Sequence, residues 1–318
     1  MSLALISSML ILSFNYATPI IVAALGGIYA ERSGVTNIGI EGMMVIGAFV
    51  AAAFVPLFES QLGGVTPWIA IVLGTIAGGI YSLIHAYISI DLRGDQIISG
   101  TALNMLSVGI AVYFTQIIFG MQRTQTFNRG ISKVNVPILK DIPILGDLLF
   151  MRIYPTFFLS LALVVITWFV LFKTRFGLRL RACGEHPSAV DSVGVSVRKM
   201  RYIGVILSGL LAGLAGGIMV LSQSTQFTAF SIHGVGFIAL ASLIFGRWNP
   251  WGVLGAGIFF GFSQIFTVYA NDFAFLRSVP NEFFFMMPYV FTILAMLLFS
   301  RRSVAPKAVG EPYDVSKR

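Results

Sequence analysis

The sequence predicts an all-α integral membrane protein, a polytopic helical bundle of about nine spans (eight to ten), with the N-terminus outside and the C-terminus cytosolic. Three observations support this. First, 57% of the 318 residues are hydrophobic and only 11% are charged, with a mean hydropathy of +0.87. Soluble domains carry about 25% charged residues, so 21 basic and 13 acidic side chains are too few to cover a water-exposed surface of this size. Second, the apolar residues fall into runs close to the ~20 needed to cross a hydrocarbon core. Third, much of the basic excess gathers in two clusters beside apolar runs, as topology signals do. The net charge of +8 is therefore read as orientation rather than nucleic-acid binding.

The candidate spans, in order, are 3–30, 43–58, 68–90, 97–120, 156–172, 202–221, a short 234–245, 251–270 and 283–300. The first starts without a basic region or a small-residue cleavage site, so it is expected to be retained rather than removed as a signal peptide. Asn15, Tyr16 and Pro19 interrupt it, which fits either one kinked helix or a short surface helix followed by a span. The spans form one domain, 1–302, followed by a cytosolic tail, 303–318.

Orientation follows from the loops. Segment 173–201 holds Lys173, Arg175, Arg179, Arg181, Arg198, Lys199 and Arg201 against Glu185 and Asp191, and the tail holds Arg301, Arg302, Lys307, Lys317 and Arg318. Both are expected in the cytosol. Counting crossings from there puts Arg247, the turn 91–96 and segment 31–42 inside, and loops 121–155 and 271–282 outside. The 121–155 loop resists the pattern, since it carries Arg123, Arg129, Lys133, Lys140 and Arg152. Longer translocated loops obey the rule weakly.

Within the spans glycine recurs at four-residue spacing, as Gly74 and Gly78, then Gly209, Gly213 and Gly217, then Gly257 and Gly261. Small residues so spaced let helix backbones approach closely, although glycine is common in membrane helices generally. No Asp, Glu, Lys or Arg lies within a proposed span, and the only histidine there is His85. Ion-coupled carriers place such groups at midplane, so a standalone secondary transporter is disfavoured. No phosphate-binding loop, nucleophile elbow or zinc-protease motif is present. The one cysteine, Cys183, and the scattered His85, His186 and His233 give no metal site and no disulfide framework. No catalytic residue, cofactor or metal is expected, and energy for uphill transport must come from another subunit.

Two polar stretches stand out. The first is Glu31-Arg32-Ser33-Gly34-Val35-Thr36-Asn37-Ile38-Gly39-Ile40-Glu41-Gly42, where Asn37 and Glu41 are about one helical turn apart. Irregular backbone at membrane depth survives only against protein or a water-filled cavity; an ordinary capped turn is the plainer alternative. The second runs from Arg179 to Gly194. Pro187 suits the first turn of a helix and Gly194 its carboxyl-terminal cap. A helix of about seven residues is marginal in water, so it needs a partner protein or the bundle itself to hold it.

The strings ERSGVTNIGIEGMMVIGAFVAA and GLRLRACGEHPSAVDSVGVSVRKMRYIGVILSGLLAGLAGG closely resemble permease subunits of bacterial ABC importers of the ribose and branched-chain amino acid type. Within that family the chain looks most like the shorter permease of the nucleoside (simple-sugar) branch. The likeness runs from Ala17 to about Phe299 and includes VPILKDIPILGDLLF and FGRWNPWGVLGAGIFFGF. It implies a heteromeric importer in the bacterial plasma membrane: this permease, a second permease, a cytosolic ATPase with two nucleotide-binding halves, and an external lipid-anchored binding protein. The implied cargo is a nucleoside, with ribose or another simple sugar, and after these a branched-chain amino acid, as the alternatives. The resemblance also assigns docking on the ATPase to Glu185, Pro187, Ala189, Asp191 and Gly194. Asp191 with flanking Arg181 and Arg198 can make charge-assisted contacts that fix register, and Ala189 is equally well read as helix filler. His186 stands where an Asn is more usual in the family.

Polar residues on apolar runs are the candidates for a translocation path: Asn15, Asn37, His85, Asn104, Gln116, Ser208, Gln223 and Gln264. Phe14, Tyr16 and Phe227 could stack a base. Hydrogen bonding between helices is the plainer account of any one of the polar residues.

Overall fold

The computed structural model describes residues 3–137, 151–270 and 305–313, plus the isolated positions Gly146, Phe283, Met286, Val290 and Ile293. The expected 283–300 span, apart from its four helical positions, and the 271–282 loop lie outside the described residues. So do Lys140, Arg301, Arg302, Lys317 and Arg318.

Among the described residues the regular structure is helical, and β pairing is limited to two isolated bridges, Arg123 with Thr228 and Val134 with Ile153. The helices are α1 (Leu3–Arg32), α2 (Ile40–Leu62), α3 (Thr66–Ala86), α4 (Gln96–Phe119), α5 (Pro155–Lys173), α6 (Arg175–Glu185), α7 (Pro187–Ser192), α8 (Val197–Gln223), α9 (Val235–Phe245) and α10 (Pro250–Tyr269). Six helical runs among the described residues are long and apolar enough to cross a membrane. The longest, Ile40–Asp91, folds back at the 3-10 turn Gly63–Val65 into the packed pair α2 and α3.

The first apolar run is one continuous helix through Pro19. Proline lacks the N–H that would bond the carbonyl four residues earlier, here that of Asn15. Gln223, at the end of α8, donates its Nε2 to that carbonyl at 3.1 Å. The break in α1 is thus repaired from another helix. At the other end of α3 the ladder loosens into a π-helical turn, Tyr87–Asp91, before the Asp95 carboxylate caps α4 through the amides of Ile97 and Ile98.

The centre of the bundle is α8, packed against α1, α2 and α3. It runs antiparallel to α1, with Gly26 against Ser208 and Gly204 against Tyr29 and Ser33. Where α2, α3 and α8 meet, Gly47, Gly74, Gly78 and Gly213 bring backbones into contact. A methyl group at Gly213 would come within 2.5 Å of the Gly74 carbonyl oxygen, and one at Gly47 within 2.3 Å of the Gly213 oxygen. Of the expected spaced glycines, Gly217 is the exception, with only ordinary contacts. The outer helices α4 and α5 stay largely apolar and uncovered, with Ile98, Met105, Tyr113 and Ile117 of α4 all exposed. Lipid or a second apolar subunit is the surrounding such a face requires.

Gly213→Val should lower the thermal midpoint of the detergent-solubilised protein, since overpacking costs about 1–3 kcal/mol. Gly109→Ala on α4, which meets open space, should leave it unchanged within about 1 kcal/mol.

Candidate functional site

Between α1 and α2 the chain leaves helical geometry for residues 33–39 while still inside the bundle. Most of that stretch is buried, so neighbouring side chains must bond its backbone. Gln96 Oε1 accepts from the Thr36 amide at 2.6 Å. His85 Nε2 donates to the Thr36 carbonyl at 3.0 Å, and its Nδ1 meets Ser99 Oγ at 3.0 Å. Asn104 bridges the exit: its Nδ2 donates to the Ile38 carbonyl at 3.0 Å and its Oδ1 accepts from the Gly42 amide at 2.7 Å. Asn37 is fully buried and donates to Ser208 Oγ at 2.8 Å, while its Oδ1 has no partner among the described residues. We call this stretch the crossover.

Its two carboxylates serve different neighbours. Glu41 Oε1 and Oε2 accept from the amides of Gly234 and Gly236, each at 2.6 Å, and so cap the amino-terminal end of α9. Glu31 accepts from Trp248 Nε1 at 2.5 Å, beyond the other end of α9. Asn37 and Glu41 therefore do not form the one-turn pair that their spacing suggests, because Asn37 precedes the helix that holds Glu41. The short α9 stands with its amino terminus at the crossover.

A second polar region lies at the far end of α8, an open cleft of about 490 Å³ lined by Tyr16, Gln223, Thr225, Gln226, Thr228 and Phe230. Asn15 is buried beside Gln223, and neither side-chain amide atom has a partner among the described residues. Of the aromatic candidates only Tyr16 lines the cleft. Phe14 stacks on Phe157 at 4.7 Å, and Phe227 is buried edge-on to Phe49.

The eight path candidates thus separate by what their atoms do. His85, Asn104 and Ser208 are bonded into the crossover, and Gln223 into the repair of α1. Asn15 and the Asn37 Oδ1 are buried with hydrogen-bonding capacity to spare. Gln264 is half-buried on α10, and Gln116 is exposed beside Tyr113 and Ile117 on the outer face of α4.

At the opposite end of α8, the basic loop is two helices rather than one. The Thr174 hydroxyl caps α6 through the Gly177 amide at 3.1 Å. Pro187 opens the six-residue α7, and His186 provides no side-chain cap. Gly194, at φ +80, closes α7 with its amide on the Asp191 carbonyl and the Val195 amide on the Val190 carbonyl. Those two bonds are the αL closure that favours glycine. Val190 points into the core, while Ser188, Ala189, Ser192, Val193 and Gly194 are exposed. Glu185 and Asp191 are engaged inside the chain: Glu185 pairs with Arg32 at 3.9 Å, and Asp191 Oδ2 accepts from the Tyr313 hydroxyl at 3.1 Å. Arg198 forks onto Asp91 at 2.5 and 3.0 Å, and Arg181 donates to the Leu171 carbonyl. Neither arginine is held free for a partner. Burial pushes the Cys183 thiol up to about 11, with the nearby Arg201 pulling the other way.

No group of His, Cys, Asp and Glu that could hold a metal occurs among the described residues. Sequence reasoning did not single out Trp248, or Arg201 as a buried group. The signal for Arg201 was its place directly before an apolar run.

Residues 9–298 match the family described as the branched-chain amino acid transport system permease component. The chain is 47% identical to the guanosine ABC transporter permease NupQ of Bacillus subtilis, over 95% of each protein. It is 40% identical to the nucleoside ABC transporter permease NupC of Lactococcus lactis, again over 95% of each. Against the putative glucose ABC transporter permease TsgC13 of Haloferax volcanii it is 34% identical, over 77% of this chain and 72% of that protein.

Glu41→Ala should strand two amides, at about 1–3 kcal/mol each, and lower the thermal midpoint more than Glu41→Gln, which keeps one acceptor. The native Cys183 should stay unlabelled by maleimide at neutral pH until the protein is unfolded, since only the thiolate reacts.

Proposed function

Because the chain belongs to the branched-chain amino acid transport system permease component family, we propose that it is the membrane-spanning permease of an ATP-driven importer of nucleosides. The near full-length likeness to two permeases named for guanosine and nucleosides carries this reading. The chain holds no phosphate-binding loop of its own, so a separate cytosolic ATPase supplies the energy. A second permease completes the pore, and an external lipid-anchored binding protein delivers the solute.

In this reading α7 is the docking element. Its exposed face is small and smooth, Ser188, Ala189, Ser192 and Gly194 with Val193 at the tip, which suits close approach to a groove. Pro187 and Gly194 set where the helix starts and stops. Glu185 and Asp191 transmit rather than touch, since their carboxylates face this chain's own Arg32 and Tyr313. The solute path runs by the unspent amides, Asn15 near the α8 terminus and the Asn37 Oδ1 at the crossover. A nucleoside offers hydroxyl and base-edge groups to satisfy both.

Uptake of labelled guanosine into vesicles holding all subunits should require ATP, and this chain alone under a sodium or pH gradient should give none. Robust uptake without an ATPase would remove the importer reading. Excess unlabelled adenosine should compete and glucose should not; competition by glucose alone would favour a sugar cargo, as the name of the Haloferax relative suggests. Gly194→Arg should abolish uptake while the binding protein still holds solute. Cysteines placed at exposed Ser188 and Lys307 should be shielded from an impermeant thiol reagent in intact cells, whereas one at Val134 should react.

A further inference from the structure

The stretch 305–313 is tied to the α7 region at three points. The Ala308 amide donates to the Gly184 carbonyl near the end of α6 at 2.8 Å. Arg201 Nη1, from the first turns of α8, donates to the Glu311 carbonyl at 2.9 Å. The Tyr313 hydroxyl donates to Asp191 Oδ2 on α7 at 3.1 Å.

The same stretch also lies on the crossover. A methyl group at Gly34 would meet Arg201 Nη2 at 2.9 Å and the Ala308 carbonyl at 3.4 Å, and one at Gly310 would meet Thr36 Oγ1 at 3.3 Å. Gly34 adopts φ +93. Arg201 is 1% exposed, and its Nε and Nη2 have no partner among the described residues. A buried guanidinium with donors to spare is sensitive to any shift in the groups around it. Clefts of about 200 and 440 Å³ flank it, lined among others by Arg93, Pro187, Asp191 and Tyr313, so the stretch 305–313 and α7 have room to move.

From this juxtaposition we infer that residues 305–313 form a strap that carries displacement of α7 to the crossover, with Tyr313 and Arg201 as its positioning residues. The inference rests on the reading of α7 as the ATPase-docking element. Tyr313 holds the moving helix at one end of the strap. Arg201, bonded to Glu311 two residues back, lies against Gly34, and Ala308 and Gly310 sit beside Gly34 and Thr36, so motion of a six-residue helix reaches the backbone beside Asn37.

A strap of this kind predicts uncoupling rather than simple loss. In vesicles holding the whole transporter and solute-loaded binding protein, Tyr313→Phe should lower guanosine imported per ATP hydrolysed by about fivefold or more. Stimulated ATP hydrolysis should stay within about twofold of the parent, since hydrolysis resides in another subunit. Ending the chain after residue 304 should do the same more strongly. Asp191→Ala combined with Tyr313→Phe should be no worse than the poorer single variant, because both remove one bond. An unchanged ratio in Tyr313→Phe overturns the strap, as does an equal fall of uptake and hydrolysis, which would mean a purely structural role. If the shortened chain fails to assemble, the Tyr313 and Asp191 variants decide. Normal uptake by Gly194→Arg would instead remove the docking reading of α7; blocked uptake there with an unchanged Tyr313→Phe ratio would remove the strap alone.

Discussion

Seven residues of non-helical backbone buried inside the bundle set the terms for the rest of this molecule. Peptide groups outside a helix and away from water must find partners, and at the crossover those partners come from other helices. His85 of α3 and Gln96 and Asn104 of α4 bond the backbone directly, and Ser208 of α8 holds Asn37 beside it. Each bond fixes the depth and rotation of the helix that offers it. The crossover thus acts as a template on which three surrounding helices are registered, and the close glycine contacts allow them to come near enough to reach it.

The same segment fixes the helix too short to span. At 11 residues, α9 covers about half a bilayer core, so its amino-terminal amides end up inside the protein. A carboxylate at a helix amino terminus satisfies those amides and matches the positive end of the helix dipole. Glu41 does this from the first turn of α2. The start of α2, just after the crossover, is thereby held against the approach to α9.

Much of this was legible from sequence where the signal is local. Apolar run length located the helices, and Pro187 and Gly194 marked both ends of α7. The polar stretch at 31–42 was recognisable as unusual because its glycines and polar residues sit between two apolar runs. Partner identity was not legible. Nothing near Gln223 indicates that it repairs a carbonyl orphaned by Pro19, and nothing near Glu41 points to Gly234 and Gly236, since these pairings depend on how distant segments meet. The separate helix α6 was missed because its stop and the start of α7 share one short junction at His186. Of the path candidates, spacing could not tell amides already bonded, such as Asn104, from those with atoms to spare, such as Asn15.

The seam of glycines between α2, α3 and α8 has a mechanical consequence. Backbones in direct contact leave no layer of side chains to reorient, so sliding one of these helices past another would drive carbonyl oxygens into α-carbons. The three helices can travel only as a single rigid body. Among the described residues the joints left outside the seam are the junction between α6 and α7, the π-helical turn below α3, the non-helical stretches that flank α9 and the stretch 305–313. The seam is the lever arm between them.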